Sequence, residues 1–337
     1  MIYIITSDTI TGGPELLHQC VYYINKSYPG LAKVFYVGER HENSAKYFSR
    51  YISEDDVVQS IPDEYENIVI VPETFTNYLR SYKKVHKILW WLSVDNYFLN
   101  YGLDSTSFTG RFMMCLRRMK RKYYSQINAL TFRELSYVQS HWFQSEYAIT
   151  FLKKKFGISG EYVGDYLNAE LLENTSEESE RKNFILYNPK KGAKETQKIV
   201  NYFKEREKLK DIEFVPLVGF NKQELKKLFN VAKMYIDFGY HPGKDRMPRE
   251  ACVNGCVVIT NRKGSAKYHK DVPIDEQYKF LDLKESNLEE ISKLFLDIVE
   301  NFGKHQQNFV HYKNIILQEE AAFEKDLLRA INKILKK

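Results

Sequence analysis

Charged side chains that could bind a ligand are concentrated in one short segment in the second half of the chain. His241, Lys244, Asp245 and Arg246 lie in this segment, and Glu250 follows closely. Apolar runs on both sides predict buried strands, so the charged residues would occupy a loop and the start of a short helix. Because loops on a rigid scaffold commonly carry function, the combination indicates a ligand-binding loop. A solvated, charged turn is the alternative for any one of these residues.

A pair of glycines near the start of the chain is a second candidate site. Gly12 and Gly13 follow the first apolar run, and Pro14 marks the start of a predicted helix. Glycines at this place let a ligand approach the backbone amides, and a helix N-terminus favours an anion. The spacing differs from the GxGxxG dinucleotide motif. A tight strand-to-helix turn without a ligand is the alternative.

Asp95 and Asn96 form a third candidate. They follow the apolar run at residues 86–92, which predicts a buried strand. In parallel α/β sheets, ligands bind beyond the carboxyl ends of the strands, so this pair is well placed for a site. An ordinary Asx turn would also explain an Asp-Asn pair after a strand.

The elements that must position these residues alternate between strands and helices. Apolar runs predict strands at residues 2–6, 32–37, 67–71, 86–92, 127–131, 138–143, 183–187 and 213–217, and on both sides of the charged loop. Helical patterns separate them. The alternation predicts an α/β protein with two Rossmann-like domains, each containing a parallel sheet.

The composition of one segment suggests where these domains divide. The run at 169–182 is highly charged and poor in apolar residues, which is typical of a linker. We therefore expect an N-terminal domain at 1–168 and a C-terminal domain at 183–318, facing each other across a ligand-binding cleft. A helix at 319–337 has an apolar face and is expected to pack back on the N-terminal domain.

The overall composition excludes several classes of protein. The chain has 337 residues, a net charge of +6 and four cysteines without a CxxC pair. A nucleic-acid binder would more often be strongly basic with a recognisable module, and the cysteine spacing indicates neither zinc nor disulfides. The first apolar run has no basic segment before it, and no run approaches the roughly 20 residues that span a bilayer. These features predict a cytoplasmic protein.

A basic, amphipathic segment at 108–124 leaves two interpretations open. Its apolar residues fall at helical spacing, and arginines and lysines cover the remaining surface. Such a helix can lie on an anionic membrane, here the inner face of the plasma membrane. Alternatively, it packs its apolar stripe on the domain and leaves its charges in water.

Two motifs in the second half carry a resemblance to a known family. The segments 247–251 (MPREA) and 255–260 (GCVVIT) occupy the places of that family's donor-site motif. The chain resembles bacterial glycosyltransferases of the GT-B fold, and most of all the retaining nucleotide-sugar enzymes of family 4. The stretches HPGKDRMPREA and WWLSVDNY are similar to enzymes of capsule and O-antigen assembly.

The resemblance implies roles for residues around the predicted donor site. Glu250 would hold the ribose hydroxyls, since a carboxylate accepts hydrogen bonds from two adjacent hydroxyls. Lys191, with its neighbour Lys190, would bind the diphosphate and neutralise it as it leaves. The remaining donor contacts that the resemblance implies are a base-packing turn containing Gly219 and Phe220, a second diphosphate contact at Arg246, and the backbone at Met247, Pro248 and Arg249.

The resemblance also implies residues on the acceptor side, and it shows one departure. Gly12 and Gly13 match the loop that lets acceptor and diphosphate approach the first domain. The first of the family's two glutamates would fall at Pro242, eight residues before the second. His241 is therefore a candidate for a replacement catalytic role. Asp95, with Asn96 beside it, is a candidate acceptor-side residue and base.

The implied activity is transfer of a sugar from a nucleotide-sugar donor to a growing, lipid-linked glycan, with retention of configuration. No metal ion or other cofactor is expected, because lysines and helix N-termini can balance the diphosphate. A non-catalytic GT-B protein that binds glycan or stabilises a partner enzyme is the alternative, which the missing first glutamate favours. A nicotinamide-dependent oxidoreductase is disfavoured by the absent GxGxxG motif.

Overall fold

The computed structural model of the protein describes residues 1–101, 129–168, 180–204 and 211–336. The chain divides into two compact units. The first contains Met1–Asp165 together with Ala322–Lys337, and the second contains Tyr166–Ala321. The basic segment at 108–124 and most of the predicted linker lie outside the described residues.

The first unit contains a parallel sheet in the order β3-β2-β1-β4-β5-β6-β7. Every residue of the adjacent strands β1 and β4 is buried, as expected for strands covered on both faces. The strand order reverses between β1 and β4, where open α/β sheets bind ligands. The strands are β1 Ile2–Thr6, β2 Ala32–Tyr36, β3 Val57–Val58, β4 Ile68–Pro72, β5 His86–Trp91, β6 Ser140–Phe143 and β7 Glu161–Tyr162.

In the part of the first unit that ends at Asp165, the described α-helices are α1 Gly12–Ser27, α2 Glu42–Phe48, α3 Val94–Tyr101 and α4 Glu146–Phe156. Helix α4 shows how local sequence sets the bounds. The Ser145 side chain accepts a hydrogen bond from the backbone N–H of Ala148, which caps the first turn. Gly157, with φ of 67°, ends the helix in the left-handed conformation.

The second unit contains a parallel sheet in the order β12-β11-β10-β8-β9. The strands are β8 Lys182–Tyr187, β9 Glu213–Pro216, β10 Ala232–Asp237, β11 Val257–Asn261 and β12 Lys279–Phe280. The helices are α5 Ala193–Lys204, α6 Lys222–Val231, α7 Arg246–Val253, α8 Glu285–Glu300, α9 Phe302–Gln307 and α10 Val310–Leu335, the last of which continues into the first unit. Asn221 caps α6 in a capping box with Glu224.

Helix α10 begins at Val310 rather than at Glu319, where the sequence predicted its start. From Ala322 onward it belongs to the first unit, as expected for a helix that packs back on that part of the chain. Phe323 is buried there, with its ring stacked 6.3 Å from the ring of Trp90.

The predicted fold class is confirmed, because both sheets are parallel and surrounded by helices. The strand predicted at 127–131 is wrong in its described part. The backbone N–H of Leu130 donates to the Thr76 hydroxyl and that of Thr131 to the Glu134 carboxylate, so side chains take the hydrogen bonds of a strand. The short elements β3 and α2 were not predicted. Among the described helices, none is long and apolar enough to cross a membrane.

Candidate functional site

A lysine held between two carboxylates forms the centre of the candidate site in the second unit. The Nζ atom of Lys191 lies 2.8 Å from Oδ2 of Asp237 and 2.6 Å from Oδ2 of Asp245. His241 completes the group, with its Nδ1 atom 2.6 Å from the same Asp245 oxygen. We call these four residues the lysine clasp.

The sheet topology explains why the clasp assembles. Strands β8 and β10 are parallel neighbours, so the loops that follow them emerge at the same edge of the sheet. Asp237 is the last residue of β10, and Lys191 lies in the loop after β8. The two loops touch at glycines. A Cβ atom on Gly192, whose φ is 66°, would lie 2.5 Å from the backbone nitrogen of Gly239, so a side chain there would separate the loops.

A second turn fixes the loop that carries His241. The backbone carbonyl of His241 accepts a hydrogen bond of 2.8 Å from the N–H of Ser265, and the Ser265 hydroxyl donates to the carbonyl of Gly243. Gly264 has φ of 58°, and a Cβ atom there would collide with the carbonyl of His241. Hydrogen bonds between the loop backbone and this second turn therefore hold the loop in one conformation.

The charges within the clasp stabilise one another. Burial alone would raise the pKa of Asp245, but the hydrogen bond from His241 and the charge of Lys191 outweigh it and hold the pKa below its ordinary value. Asp237, His241 and Asp245 offer ligand atoms within 4.8 Å of one another, a donor set suited to a metal ion. The Lys191 ammonium contacts both carboxylates and supplies the positive charge that this donor set requires.

His241 is completely buried, with an exposed fraction of 0%. Its Nε2 atom lies 3.3 Å from the backbone carbonyl of Asp237, and its Nδ1 atom faces Asp245. The predicted catalytic role for His241 needs contact with a substrate, and the imidazole has no exposed surface for it. Its contacts place it instead as a support for the two carboxylates.

Helix α7 presents Arg246 and Glu250 on one face. The Nε atom of Arg246 lies 3.4 Å from Oε1 of Glu250, at i,i+4 spacing. Both residues line a cavity of about 190 Å³ between α6 and α7, together with Lys222, Leu225, Lys226, Phe229 and Asn254. Glu250 therefore lines a small cavity together with cationic and apolar side chains.

The remaining residues predicted around α7 differ in what they leave available to a ligand. The Arg249 side chain is fully buried and pairs with Glu319, so only its backbone remains available to a ligand. Pro248 has no backbone N–H, so it could meet the donor only through its carbonyl or its ring. Met247 is half-buried, and its Sδ atom accepts a hydrogen bond of 3.4 Å from Asn188.

The other donor-side candidates lie in exposed turns. Lys190 is exposed and lies outside the clasp, in a turn where its N–H donates to the Asn188 side chain. Gly219 has φ of 79° in the turn after β9. Phe220 follows it with 39% of its surface exposed, which leaves an aromatic ring open to a ligand.

In the first unit, the structure brings Asn96 and Asp95 to the carboxyl edge of the sheet, as predicted. Asn96 donates to Glu73, which also accepts a 2.9 Å hydrogen bond from the N–H of Leu92. Burial raises the pKa of Glu73 to about 7, although backbone hydrogen bonds favour its charged form. Burial also raises the pKa of Asp95 to about 6, against a hydrogen bond from the Tyr147 hydroxyl.

Gly12 and Gly13 form the first turn of α1, at the carboxyl end of β1. A Cβ atom on Gly13 would lie 3.7 Å from Cδ1 of Leu92, an ordinary contact distance. The fold itself therefore tolerates a side chain at this position, and a ligand remains a reason for a glycine there.

Sequence reasoning missed three residues: Asp237, Glu73 and Glu319. The first two end or follow buried strands, which is the signal that identified Asp95. Glu319 lies in a regular helix and has no comparable signal in the local sequence.

Similarity to known proteins is detected at the level of structure. No protein-family model and no curated protein matches the sequence. HepE from Anabaena, solved in complex with UDP, matches with a TM-score of 0.62 and 11% identity, over 98% of this chain and 99% of that chain. WaaG, a glycosyltransferase involved in lipopolysaccharide biosynthesis, matches with a TM-score of 0.55 and 12% identity, over 96% and 98%.

A third structure matches over part of its length. TarM from S. aureus, in complex with fondaparinux, alpha-GlcNAc-glycerol and UDP, matches with a TM-score of 0.58 and 13% identity. The match covers 82% of this chain and 57% of TarM, so the chain spans a little over half the length of that protein. Together, these likenesses show that the chain has the fold of GT-B glycosyltransferases, with two Rossmann-like domains.

Proposed function

We propose that the protein is a glycosyltransferase that transfers a sugar from a nucleotide-sugar donor to a growing, lipid-linked surface glycan. The observation that carries this proposal is the arrangement of Lys191 and Glu250 around one helix. Lys191 contacts Asp245, the residue at the N-cap position of α7, and Glu250 lies in the second turn of that helix. Asp245 and Glu250 are five residues apart, which corresponds to a helix rise of about 7.5 Å, a separation that suits the diphosphate and the ribose of one nucleotide.

The ribose, the base and the diphosphate of such a nucleotide each have a candidate partner in the second unit. A carboxylate accepts hydrogen bonds from two adjacent hydroxyls, so Glu250 binds the ribose. The exposed ring of Phe220 provides a surface for the base. An ammonium has three N–H donors, so Lys191 can hold its two carboxylates and still donate to a phosphate oxygen. The N-terminus of α7 adds a partial positive charge beside it.

These groups support the transfer itself. The bond between the anomeric carbon and the diphosphate breaks with its electron pair on the diphosphate, where Lys191 stabilises the negative charge. The acceptor oxygen bonds to the anomeric carbon on the face that the diphosphate leaves, as retention requires, and its proton passes to Asp95, whose pKa of about 6 suits a base near neutral pH. As the resemblance implies, the proposed reaction uses no metal ion, and Lys191, Arg246 and the N-terminus of α7 are the groups that would meet the diphosphate.

The finer parts of the proposal come from the resemblance of the sequence. Retention of configuration follows from the likeness to family 4 enzymes. The lipid-linked acceptor follows from the stretch WWLSVDNY, which is similar to polysaccharide-assembly enzymes. WaaG, which has the same fold, is involved in lipopolysaccharide biosynthesis. Such an acceptor would bring the protein to the inner face of the plasma membrane.

A screen of nucleotide sugars tests the proposal. The protein is incubated with UDP-, GDP- and CMP-sugars, and thermal stabilisation and donor hydrolysis are measured for each. A bound donor raises the apparent stability by mass action, so one class should raise the unfolding temperature and be slowly hydrolysed. The anomeric configuration of the transferred sugar, measured by NMR, then tests retention.

The absence of the first family glutamate favours a second candidate function, a non-catalytic protein that binds glycan. Pro242 stands at that position. Calorimetry with UDP, GDP and CMP separates the two functions. A protein that binds glycan but none of these nucleotides would have lost the donor site, and the proposed enzymatic activity would be excluded.

A further inference from the structure

A buried ion network lies behind the loop that carries the lysine clasp. Glu319, on α10, accepts from Nζ of Lys244 at 2.8 Å and from Nη1 of Arg249 at 2.7 Å. The three side chains are between 1% and 7% exposed. Glu319 thus connects the start of α7 to a helix 70 residues further along the chain.

Arg249 connects Glu319 to the backbone of the loop through two hydrogen bonds. Its Nε atom donates to the carbonyl of Asp245, and its Nη2 atom donates to the carbonyl of Lys244, each at 3.2 Å. Asp245 in turn contacts Lys191 at 2.6 Å. A continuous series of contacts therefore runs from Glu319 through Arg249 and the backbone of residue 245 to the Lys191 ammonium.

Stability alone does not account well for this arrangement. A buried ion pair loses hydration that its mutual attraction only partly restores, and apolar side chains of similar volume often stabilise a fold as well or better. Apolar side chains could fill the same space, but they could not donate hydrogen bonds to two loop carbonyls. The guanidinium has five donors in a fixed fork, which makes it suitable for fixing the backbone in one conformation.

We propose that Glu319 is a positioning residue for the donor diphosphate, acting through Arg249 and Asp245 to hold Lys191 in its binding position. The inference rests on the proposed function, since it requires Lys191 to bind a diphosphate. Glu319 does not touch the donor. It fixes the carbonyls that set the position of Asp245, and a preorganised cation binds an anion more tightly than one that must be ordered on binding.

The first test compares Glu319→Gln with the wild-type protein. Glutamine keeps the size of the side chain and one acceptor oxygen but removes the charge, so Arg249 and Lys244 lose their shared counterion. UDP affinity, measured by calorimetry, should fall on the order of tenfold, since a charge-assisted hydrogen bond is lost behind the site. The matched control is Glu324→Gln, which removes a half-buried glutamate from the same helix, where it pairs with Lys26. Its UDP affinity should equal that of the wild type.

A double-mutant cycle distinguishes positioning from a general loss of structure. In Asp245→Ala, the contact that connects the loop to Lys191 is already absent, so adding Glu319→Gln should change the UDP affinity little. An equal loss in both backgrounds would overturn the proposal, because Glu319 would then act independently of Asp245. Unchanged affinity in Glu319→Gln alone would also overturn it.

The triple variant K244M/R249M/E319M tests the proposal without relying on the single variant Glu319→Gln to keep its fold. It replaces the network with apolar side chains, which should preserve the thermal unfolding midpoint within a few degrees. UDP affinity should still fall, because methionine cannot donate to the carbonyls of residues 244 and 245. A triple variant that binds UDP as tightly as the wild type would overturn the proposal. A wild-type protein that binds none of UDP, GDP and CMP would overturn the proposed function, and this inference with it.

Discussion

The carboxyl edges of the two sheets surround their buried and half-buried carboxylates with opposite kinds of partner. In the second unit, Asp245 faces the Lys191 ammonium and the His241 ring, and its pKa lies below the ordinary value. In the first unit, Glu73 and Asp95 accept hydrogen bonds from backbone, amide and hydroxyl groups, and burial raises their pKa values to about 7 and about 6.

This difference assigns a different kind of chemistry to each edge. Carboxylates that remain charged can hold a cation in position, which suits an edge that binds an anionic diphosphate. Carboxyl groups that titrate near neutral pH can exchange a proton with a hydroxyl, which suits an edge that receives an acceptor. The comparison therefore supports a donor site on the second unit and an acceptor site on the first.

The largest effect is expected for Lys191→Ala, which removes the cation from the second edge. The leaving diphosphate loses its stabilising charge, and Asp237 and Asp245 are left facing each other. We expect kcat for sugar transfer to fall by about 10³-fold, the scale reported for removal of one electrostatic donor at a reacting centre. Donor hydrolysis and transfer assays measure this loss.

Lys194→Ala is the control for that prediction, since Lys194 is exposed on α5 and lies outside the clasp. It should keep wild-type turnover. Thermal unfolding of both variants shows whether the fold is retained. A folded Lys191→Ala protein with full activity would contradict the proposed role of the second edge in donor binding.

Asp95→Asn tests the first edge and should lower kcat by about 10²-fold, because the amide cannot accept the acceptor proton. The wild-type enzyme needs Asp95 deprotonated, so its activity should decrease as the pH falls through about 6. The pH–rate profile of Asp95→Asn should lack this acidic limb.

Tyr147→Phe sharpens the same test. The Tyr147 hydroxyl donates to Asp95 and lowers its pKa, so removing it should move the acidic limb to higher pH. An acidic limb that stays in place in both variants would show that another group controls the profile.

Glu250→Gln should have a smaller effect, confined to donor binding. The amide has one acceptor oxygen in place of two and no negative charge, so its hydrogen bonds to the two ribose hydroxyls are weaker, and KM for the donor should rise about tenfold with kcat nearly unchanged. Glu213→Gln, at an exposed position in β9, is the control. A fall in kcat at constant KM would place Glu250 at the reacting centre instead of the ribose.

The fold could be predicted well from the sequence because the signals for strands and helices are local. Apolar runs mark buried strands, and the caps at Ser145 and Asn221 lie beside the helices that they start. The strand predicted at 127–131 failed because an apolar run alone does not show where its backbone hydrogen bonds go. In the structure, the side chains of Thr76 and Glu134 accept them.

The site was harder to predict because its contacts connect distant segments. Asp237 meets Lys191 only because β10 lies beside β8, an order that no local pattern encodes. Aromatic Phe238 follows Asp237 directly, which hides the end of the strand in the sequence. Glu319 is further still from Arg249 along the chain, and its position in a regular helix carries no sign of its partner.

The smallest expected effect concerns stability at the first edge. The pKa of Glu73 rises from an ordinary value of 4.5 to about 7 in the fold. Between these values the folded protein binds more protons than the unfolded chain, so Glu73 should make the free energy of unfolding fall with rising pH, by at most about 1.4 kcal/mol per pH unit. Burial lowers the pKa values of His18 and His141 to about 4, which contributes a slope of the opposite sign below their ordinary pKa of 6.5. Glu73→Gln cannot titrate, so its slope should be more positive than the wild-type slope by up to about 1.4 kcal/mol per pH unit, as measured by urea unfolding at pH 5, 6 and 7.

Glu42→Gln, at an exposed position in α2, is the control and should reproduce the wild-type slope. Asp95 contributes in the same direction as Glu73, since burial also raises its pKa, so the slope of E73Q/D95N should be more positive than that of either single variant. The second edge should behave differently. Asp245 has a lowered pKa, so its contribution is present above its ordinary pKa near 3.8 and is lost as the pH falls below it. A double variant that keeps the wild-type slope between pH 5 and 7 would show that neither carboxyl group titrates with a raised pKa, and the contrast between the two edges would be wrong.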